Sequence, residues 1–344
     1  MKYFVTGHTG FKGAWLTLML RELGHEVHGY SLDPIQGSLF ERANLGVVCA
    51  SDIRADIRDS AKLSEELSRV SPDVIVHLAA QPLVRYGYEH PEETFTTNID
   101  GTLNVLSSSK ALTGLLAVLI ITTDKVYENT SKKSGYVETD PLAGLDPYSA
   151  SKAAADILTQ SWAHTFPDLP LAIARAGNVI GGGDVSRDRL FPDVIKAFSE
   201  PRAAEIRNPD AVRPWQHVLD CLNGYLQLIE AVAQRGARGA WNFGPDEESC
   251  KSVGEVVALA AEIWGSSSTW THNPDENAPH EDNFLFLDSS KSKEELEWRN
   301  LLSLREAVSE TIEWEKQVIQ GESVLEVSRR AVQLFLGLPH ESRS

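Results

Sequence analysis

Tyr148 and Lys152, in Tyr148-Ser-Ala-Ser-Lys152, stand four positions apart. On a helix that spacing sets both side chains on one face, one turn apart. A tyrosine ordinarily titrates near about 10, and a neighbouring ammonium favours the phenolate and draws that value down. Such a tyrosine can take the proton of a substrate hydroxyl while the carbon that carries it gives up hydride. Unrelated helix residues share this spacing by chance, so the pair gains meaning only with a hydride acceptor close by.

A seat for that acceptor is legible at the start of the chain. Tyr3-Phe-Val-Thr-Gly-His-Thr-Gly-Phe-Lys-Gly13 is an apolar run ending in Gly7, Gly10 and Gly13, and an apolar helix pattern follows from Ala14 to Leu23. Strand before and helix after is the setting in which a glycine triplet binds a dinucleotide; without it the triplet is only a turn. Gly7 permits the sharp turn, Gly10 lets a pyrophosphate approach the backbone, and Gly13 lets the helix pack close to the strand. The helix N-terminus, carrying Phe11 and Lys12, offers free N–H groups and a positive dipole end to the phosphates. Asp33 follows a second apolar run, Glu26 to Leu32, twenty residues after Gly13. A carboxylate there accepts hydrogen bonds from a ribose diol and repels a 2′-phosphate, which favours NAD over NADP.

Alternating elements must position these groups. Val27–Tyr30 reads as a strand, Val47–Ala50 as a short one, Asp59–Val70 as a helix broken by Ser71-Pro72-Asp73, and Val74–Leu78 as a strand buried on both faces. A long helix over Pro91–Lys110 and a buried strand over Leu115–Thr122 follow. Then come a helix over Tyr148–Phe166, entered through Asp146-Pro147, and a strand over Leu171–Arg175. This alternation predicts an α/β fold with a doubly wound, Rossmann-like parallel sheet and ligands at the carboxyl ends of its strands. After Asn178 the texture changes. Gly181–Trp215 is rich in glycine, proline and arginine, with a short helix near Pro192–Ser199. Helices are predicted at Val218–Gln234, Val253–Trp264, Ser290–Leu296 and Leu304–Gln317, with a turn at Phe243-Gly-Pro245. The division expected is a cofactor-binding domain over 1–178 and a smaller, mainly substrate-binding lobe over 179–335, some of whose segments return to the first domain. The tail, Glu322–Ser344, reads as helical at first and then polar.

The bulk numbers narrow the classes. With 344 residues, 42% of them hydrophobic, the chain can bury one large or two medium cores. A net charge of −17 disfavours nucleic acid or an anionic membrane as partner. Cys49, Cys221 and Cys250 form neither a metal pattern nor a disulfide framework, which suits a reducing cytoplasm. The chain opens on a strand, leaving no room for a signal peptide, and no apolar run nears the roughly 20 residues of a membrane span.

Gly7-x-x-Gly10-x-x-Gly13 together with Tyr148-x-x-x-Lys152 resembles the extended short-chain dehydrogenase/reductase family. Asp56-Ile57, Leu78-Ala79-Ala80, Asn98 and Thr122-Thr123 fit its pattern as well, and the resemblance runs from Met1 to about Trp314. It implies that Asp56 and Ile57 lie by the adenine, that Leu78, Ala79 and Ala80 line the cofactor cleft with Asn98 and Thr122, and that Thr123 handles a sugar hydroxyl at C4. Many relatives in the 4,6-dehydratase branch carry Thr-Asp-Glu where this chain has Thr123-Asp124-Lys125. A lysine in third place is similar to the CDP-glucose 4,6-dehydratase subgroup. So are Ala80-Gln-Pro-Leu-Val-Arg85, Arg175-Ala-Gly-Asn-Val-Ile-Gly-Gly-Gly-Asp184 and Arg207-Asn-Pro-Asp-Ala-Val-Arg-Pro-Trp-Gln-His217.

The resemblance implies a nucleotide-sugar substrate and bound NAD that is regenerated in each turnover. Tyr148 would deprotonate O4 as C4 gives up hydride, Lys125 or a water it holds would remove the C5 proton, and Asp124 would protonate the leaving C6 hydroxyl. Lys12 and Lys152 would lower the pKa of Lys125 and Asp124 would raise it. For the substrate it implies Gln81, Asn178 and Arg213 at the diphosphate and sugar, with Arg187 and Arg189 behind, and Leu190 beside the base. His217 reads equally as a substrate contact or a packed core histidine. The subgroup's tryptophans before Gly135-Tyr136 and after Asp184 are absent, Val185 standing in the second place. A 4-epimerase, a dehydratase of another nucleotide sugar and a non-catalytic NAD(H)-sensing module are the alternatives; an epimerase needs no acid–base pair at Asp124-Lys125, and a sensor needs no Tyr148–Lys152 pair. The family further implies a homodimer or homotetramer built on the apolar stripes of Phe95–Leu106 and Ala153–Trp162, stripes that would equally suit packing on the sheet. Deoxysugar biosynthesis, with lipopolysaccharide O-antigen as its destination, is the pathway such an enzyme would serve.

Overall fold

The computed structural model describes residues 1–132, 134–200, 202–265, 268–274 and 285–338. The chain opens with β1 (Lys2–Thr6), α1 (Phe11–Glu22), β2 (Glu26–Ser31), α2 (Leu39–Arg42) and β3 (Ser51–Arg54). Tyr3 and Val5 of β1 join one buried cluster with α1, while Phe4 joins another on the opposite face. Successive strand side chains point to opposite faces, so one short strand feeds two cores. Next come α3 (Ser60–Val70), β4 (Val74–His77), α4 (Val84–Glu89), α5 (Pro91–Phe95), α6 (Gly101–Lys110), β5 (Ala117–Ile121), α7 (Pro147–Thr165) and β6 (Leu171–Ala176). Every residue of β4, β5 and β6 is buried, as in parallel strands covered on both faces. Asp146 starts α7 by accepting from the Tyr148 and Ser149 N–H groups, with Pro147 at the first helical position.

Beyond residue 178 lie β7 (Val179–Ile180), α8 (Leu190–Ser199), β8 (Ala204–Ile206), β9 (Val212–Pro214), β10 (Gln216–His217), α9 (Val218–Arg235) and β11 (Gly239–Phe243). They are followed by β12 (Cys250–Ser252), α10 (Val253–Trp264), β13 (Trp270–His272), α11 (Ser290–Glu295), α12 (Leu304–Ile319) and α13 (Val324–Leu336). The main sheet has the order β11-β6-β5-β4-β1-β2-β3 and every pairing in it is parallel. The chain runs outward from β1 to β3, then restarts at β4 on the other side. That reversal opens a crevice at the carboxyl ends of β1 and β4. A separate core, built by α8, α10 and α12 around Phe191, Trp215, Val256 and Val308, stands over the crevice. In contrast, α9 and β11 pack into the sheet's own core through Leu222, Tyr225 and Phe243.

Two local expectations fail. Val47–Ala50 is no strand: Leu45–Val48 is a 3-10 turn, and β3 begins one residue after Ala50. Asn44 enters that turn in the left-handed region, Leu45 is buried in the core shared with β1 and α1, and Val47 is 70% exposed, so the run turns into the core at one residue rather than extending along the sheet. The helix expected over Pro91–Lys110 carries a π-helical turn at Thr96–Asp100. The short strands of the lobe and β11 were not foreseen. The polar end of the tail, 339–344, lies outside the described residues. Cys49, Cys221 and Cys250 are free thiols. Among the described residues no helix is long and apolar enough to cross a membrane, and no cluster of side chains could hold a metal ion.

Candidate active site

The glycine loop is shaped by what it excludes. Gly7 has φ +74°, and a Cβ there would lie 2.6 Å from the Ala79 nitrogen. A Cβ on Gly13 would lie 2.1 Å from the Gly7 carbonyl oxygen, so α1 packs directly on the turn. Gly10 differs: its added Cβ would meet only the Gly7 oxygen, at 3.4 Å, and otherwise open space. The vacant side of Gly10, at the N-terminus of α1, is a cradle in which an anion meets first-turn N–H groups. It opens into a cavity of about 870 Å³ that is lined by Gly7, Gly10, Phe11, Lys12 and Gly13, by Asp33 past β2, and by Asp56 and Ile57 past β3. Leu78, Ala79 and Ala80 past β4, Thr122 past β5 and Lys152 complete this half. The residues fit a dinucleotide: a Cβ-free anion cradle at one point and a carboxylate past β2. Asn98 is the exception. It is buried behind the wall, bonding the Gln81 backbone N–H and C=O and the Ser151 hydroxyl, while Thr97 faces the cavity.

Past the end of β5, Thr123, Asp124 and Lys125 line the same cavity with Tyr148 and Lys152. Asp124 is buried, and Gly177 makes room for it: a Cβ there would stand 2.9 Å from Asp124 Oδ2. Burial pushes the Asp124 carboxyl up, against the pull of the Thr123 hydroxyl, Lys125, Arg213 and Lys12. The Thr123 side chain contacts Tyr148 and donates to Asp124 Oδ1 at 2.8 Å. The phenol of Tyr148 does not behave as expected from its spacing to Lys152. Burial pushes it up to about 12, and Thr123 and Arg189 rather than Lys152 oppose that rise. The reason is geometric: Lys152 Nζ donates to the Ile121 carbonyl at 2.7 Å. Burial in turn brings Lys152 down to about 8, with Asp156 opposing and Lys12 assisting.

The cavity is further lined by Gln81 past β4 and Asn178 past β6, and from the lobe by Arg187, Arg189, Leu190 and Arg213. The amide of Gln81 is engaged with Thr94, the Leu83 carbonyl and the Leu83 N–H. His217 is corrected: it is buried, absent from the lining, and caps α9 by accepting from the Leu219 N–H, and burial draws its ring down to about 4. Other lining residues were missed. Arg207 pairs with Asp188 at 3.2 Å, and Arg85 reaches that carboxylate from α4 at 3.9 Å. The Thr9 hydroxyl pairs with Ser31 at 2.8 Å. Lys12 Nζ donates to the Tyr225 hydroxyl at 3.2 Å, a partner 213 residues away that no local motif announces.

A parallel sheet with a glycine cradle at its switch point, and a half-buried tyrosine and a buried lysine lining the same cavity, define a dinucleotide-dependent Rossmann-type enzyme. The chain belongs to the NAD dependent epimerase/dehydratase family, whose model matches residues 3–244. It is 42% identical to the CDP-glucose 4,6-dehydratase of Salmonella typhimurium, over 97% of this chain and 96% of that one. Its fold is similar to that of the dTDP-glucose 4,6-dehydratase of Bacillus anthracis in complex with NAD, with TM-score 0.78 and 22% identity over 95% and 99% of the two chains. A UDP-glucuronic acid 4-epimerase from Bacillus cereus in complex with UDP-glucuronic acid and NAD superposes with TM-score 0.80 at 25% identity, over 92% of this chain and 100% of that one. NAD is the cofactor that both this family and the cradle call for.

Proposed function

We propose that this chain converts CDP-D-glucose to CDP-4-keto-6-deoxy-D-glucose and water. The observation that carries the reading is Asp124, a buried carboxyl held toward its protonated form within one hydroxyl of Tyr148. A 4-epimerase has no leaving hydroxyl and no use for a second acid there. The nearly full-length likeness to a CDP-glucose 4,6-dehydratase supports the same choice and favours CDP-glucose among donors.

NAD held at the Gly10 cradle with Asp33 past β2 would supply a hydride acceptor for C4 and the hydride that reduces C6. The chain supplies the proton chemistry. Tyr148 accepts the O4 proton, with Thr123 aligning the hydroxyl, Thr123 and Arg189 favouring the phenolate, and Lys152 standing one turn on along α7 in the same cavity. The resulting 4-ketone acidifies C5–H, which Lys125, or a water it holds, removes. Asp124 delivers a proton to the C6 oxygen, which leaves as water, and the group that removed the C5 proton gives one back to C5 as C6 is reduced. Arg213 pairs with the diphosphate, assisted by Arg189, Arg187 and Asn178. Leu190 borders the base, and Gln81 shapes the sugar pocket. In this reading residues 1–178 bind the cofactor and 179–335 mainly the substrate. Phe95, Leu103 and Ile157, exposed on the α5–α6 run and α7, suit a second copy of the chain, giving a homodimer or homotetramer. The cytoplasm is the proposed compartment, and a deoxysugar route such as that to lipopolysaccharide O-antigen the proposed setting.

The test is incubation of the purified protein, without added cofactor, with CDP-glucose, dTDP-glucose, GDP-mannose and UDP-N-acetylglucosamine in parallel. Proton NMR should show a new C6 methyl doublet with CDP-glucose. A doublet with another donor would keep the mechanism and move the substrate. Inversion at C4 without a methyl signal would overturn the dehydratase reading.

A further inference from the structure

Beneath the catalytic pair lies a buried charge that the proposed chemistry does not use. Tyr148, Lys152 and Asp156 recur every four residues along α7, so the third stands one turn below the lysine. Asp156 and Arg175 of β6 are both fully buried and paired through two hydrogen bonds, Nη2 to Oδ1 at 2.7 Å and Nε to Oδ2 at 2.9 Å. Asp156 Oδ2 also accepts from the Thr122 hydroxyl at 2.9 Å, and Oδ1 from the Gln160 amide at 2.7 Å. Thr122 directly follows Ile121, whose carbonyl receives Lys152 Nζ. Two consecutive turns of α7 are therefore stitched to two consecutive residues, Ile121 at the end of β5 and Thr122 just past it. The strand end so fixed carries Thr123, Asp124 and Lys125, and the helix carries Tyr148.

We propose that Asp156 is a positioning residue for the Tyr148–Lys152 pair, holding α7 against the end of β5 through Thr122 and Arg175 and supplying the anionic charge beside Lys152. The surroundings of Lys152 support this. Tyr148 precedes it on α7, His77 faces it from β4, and Lys12 faces it from α1. Burial brings His77 down to about 3, so that ring is neutral across the working range. Lys12 repels the ammonium, and Asp156 opposes both that repulsion and the effect of burial. An ion pair sunk this deep adds little net stability over apolar packing, so its return is sought in the site above it.

The inference rests on the dehydratase reading for its kinetic arm only. Asp156→Asn should lower kcat about tenfold and move the alkaline limb of the kcat–pH profile down by about one pH unit, because the lysine loses its nearby anion. Asp156→Glu should restore the limb. Removing one partner of a buried pair can prevent folding. The double variant Asp156→Asn with Arg175→Gln removes both charges, keeps amide hydrogen bonds, and makes the same comparison. A second arm needs no turnover: the side-chain NMR titration of Lys152, assigned by its loss in Lys152→Arg, should have a lower midpoint in the variants. Folded variants whose limb and midpoint coincide with those of the unsubstituted protein would overturn the proposal. If the unsubstituted protein dehydrates no nucleotide sugar, the functional reading falls, and the Lys152 titration still decides the role of Asp156.

Discussion

Thr123 donates its hydroxyl hydrogen to Oδ1 of Asp124 at 2.8 Å, and both side chains are buried just past the end of β5. The carboxyl is thus oriented by its own neighbour, while its other oxygen occupies the space that Gly177 leaves. Asp124→Asn preserves the shape and removes the proton donor. The expected loss in kcat is about 10²–10³-fold, with NAD affinity unchanged. Single-turnover kinetics and a cofactor titration check the two halves. Because burial raises the Asp124 pKa, the protonated acid persists to higher pH than on an exposed aspartate, and dehydration is lost as pH rises through it.

Two glycines of one loop, Gly13 and Gly10, should differ sharply on substitution. Gly13→Ala places a methyl 2.1 Å from a backbone oxygen and should cost about 3 kcal/mol or more, or prevent folding. Gly10→Ala meets nothing closer than 3.4 Å and should melt within a few degrees of the unsubstituted protein, while binding NAD at least tenfold more weakly. Thermal melts and calorimetric titration separate these outcomes. Undiminished NAD binding by Gly10→Ala would remove the pyrophosphate from this cradle.

Arg213 lines the lobe side of the cavity and donates Nη1 to the Val212 carbonyl at 2.9 Å. Arg213→Lys keeps the charge and loses the planar fork. KM for the nucleotide sugar should rise about tenfold with kcat within about a factor of two. An equal fall in kcat would place the arginine at the reacting sugar instead.

Asp220, buried in α9, accepts from the Leu301 and Leu302 N–H groups, and burial pushes it up to about 6. A carboxyl raised on folding contributes stability that is full below its unfolded pKa and is lost as pH rises through the folded one. The window here runs from about 4 to about 6, and the swing is on the order of 2–3 kcal/mol. Asp220→Asn cannot titrate. Urea unfolding of both proteins should therefore show a gap between them that narrows as pH rises across this window. A constant gap would mean that Asp220 is ionised throughout.

Periodicity and glycine placement made the first half of the fold readable, since β4 and β5 are continuous apolar runs and Asp146-Pro147 announces α7. Val47–Ala50 misled because an apolar run four residues long carries no face. β11 was passed over because Gly239-Ala-Trp-Asn-Phe243 pairs only with β6, distant in sequence. The two- and three-residue strands of the lobe exist by virtue of their partners, which local pattern does not carry. Residue identity suggested His217 as a contact; its burial as a cap on α9 is a tertiary fact. The tyrosine–lysine spacing correctly placed both side chains in the cavity, yet the charge of the tyrosine depended on burial and on the Ile121 carbonyl.

The last strand to join the main sheet, β11, arrives after the chain has crossed the lobe and lies against β6. A fragment cut after residue 178 would consequently keep six strands and leave β6 as a raw edge, its backbone groups open to pairing with other chains. Such a fragment should aggregate rather than stand as a free cofactor-binding module. Supplying 179–344 in trans would have to mend the edge, so the two segments should be rescued by co-expression and by neither alone. Gene fusions or domain exchanges within this family would then succeed only where the donated segment brings its own edge strand.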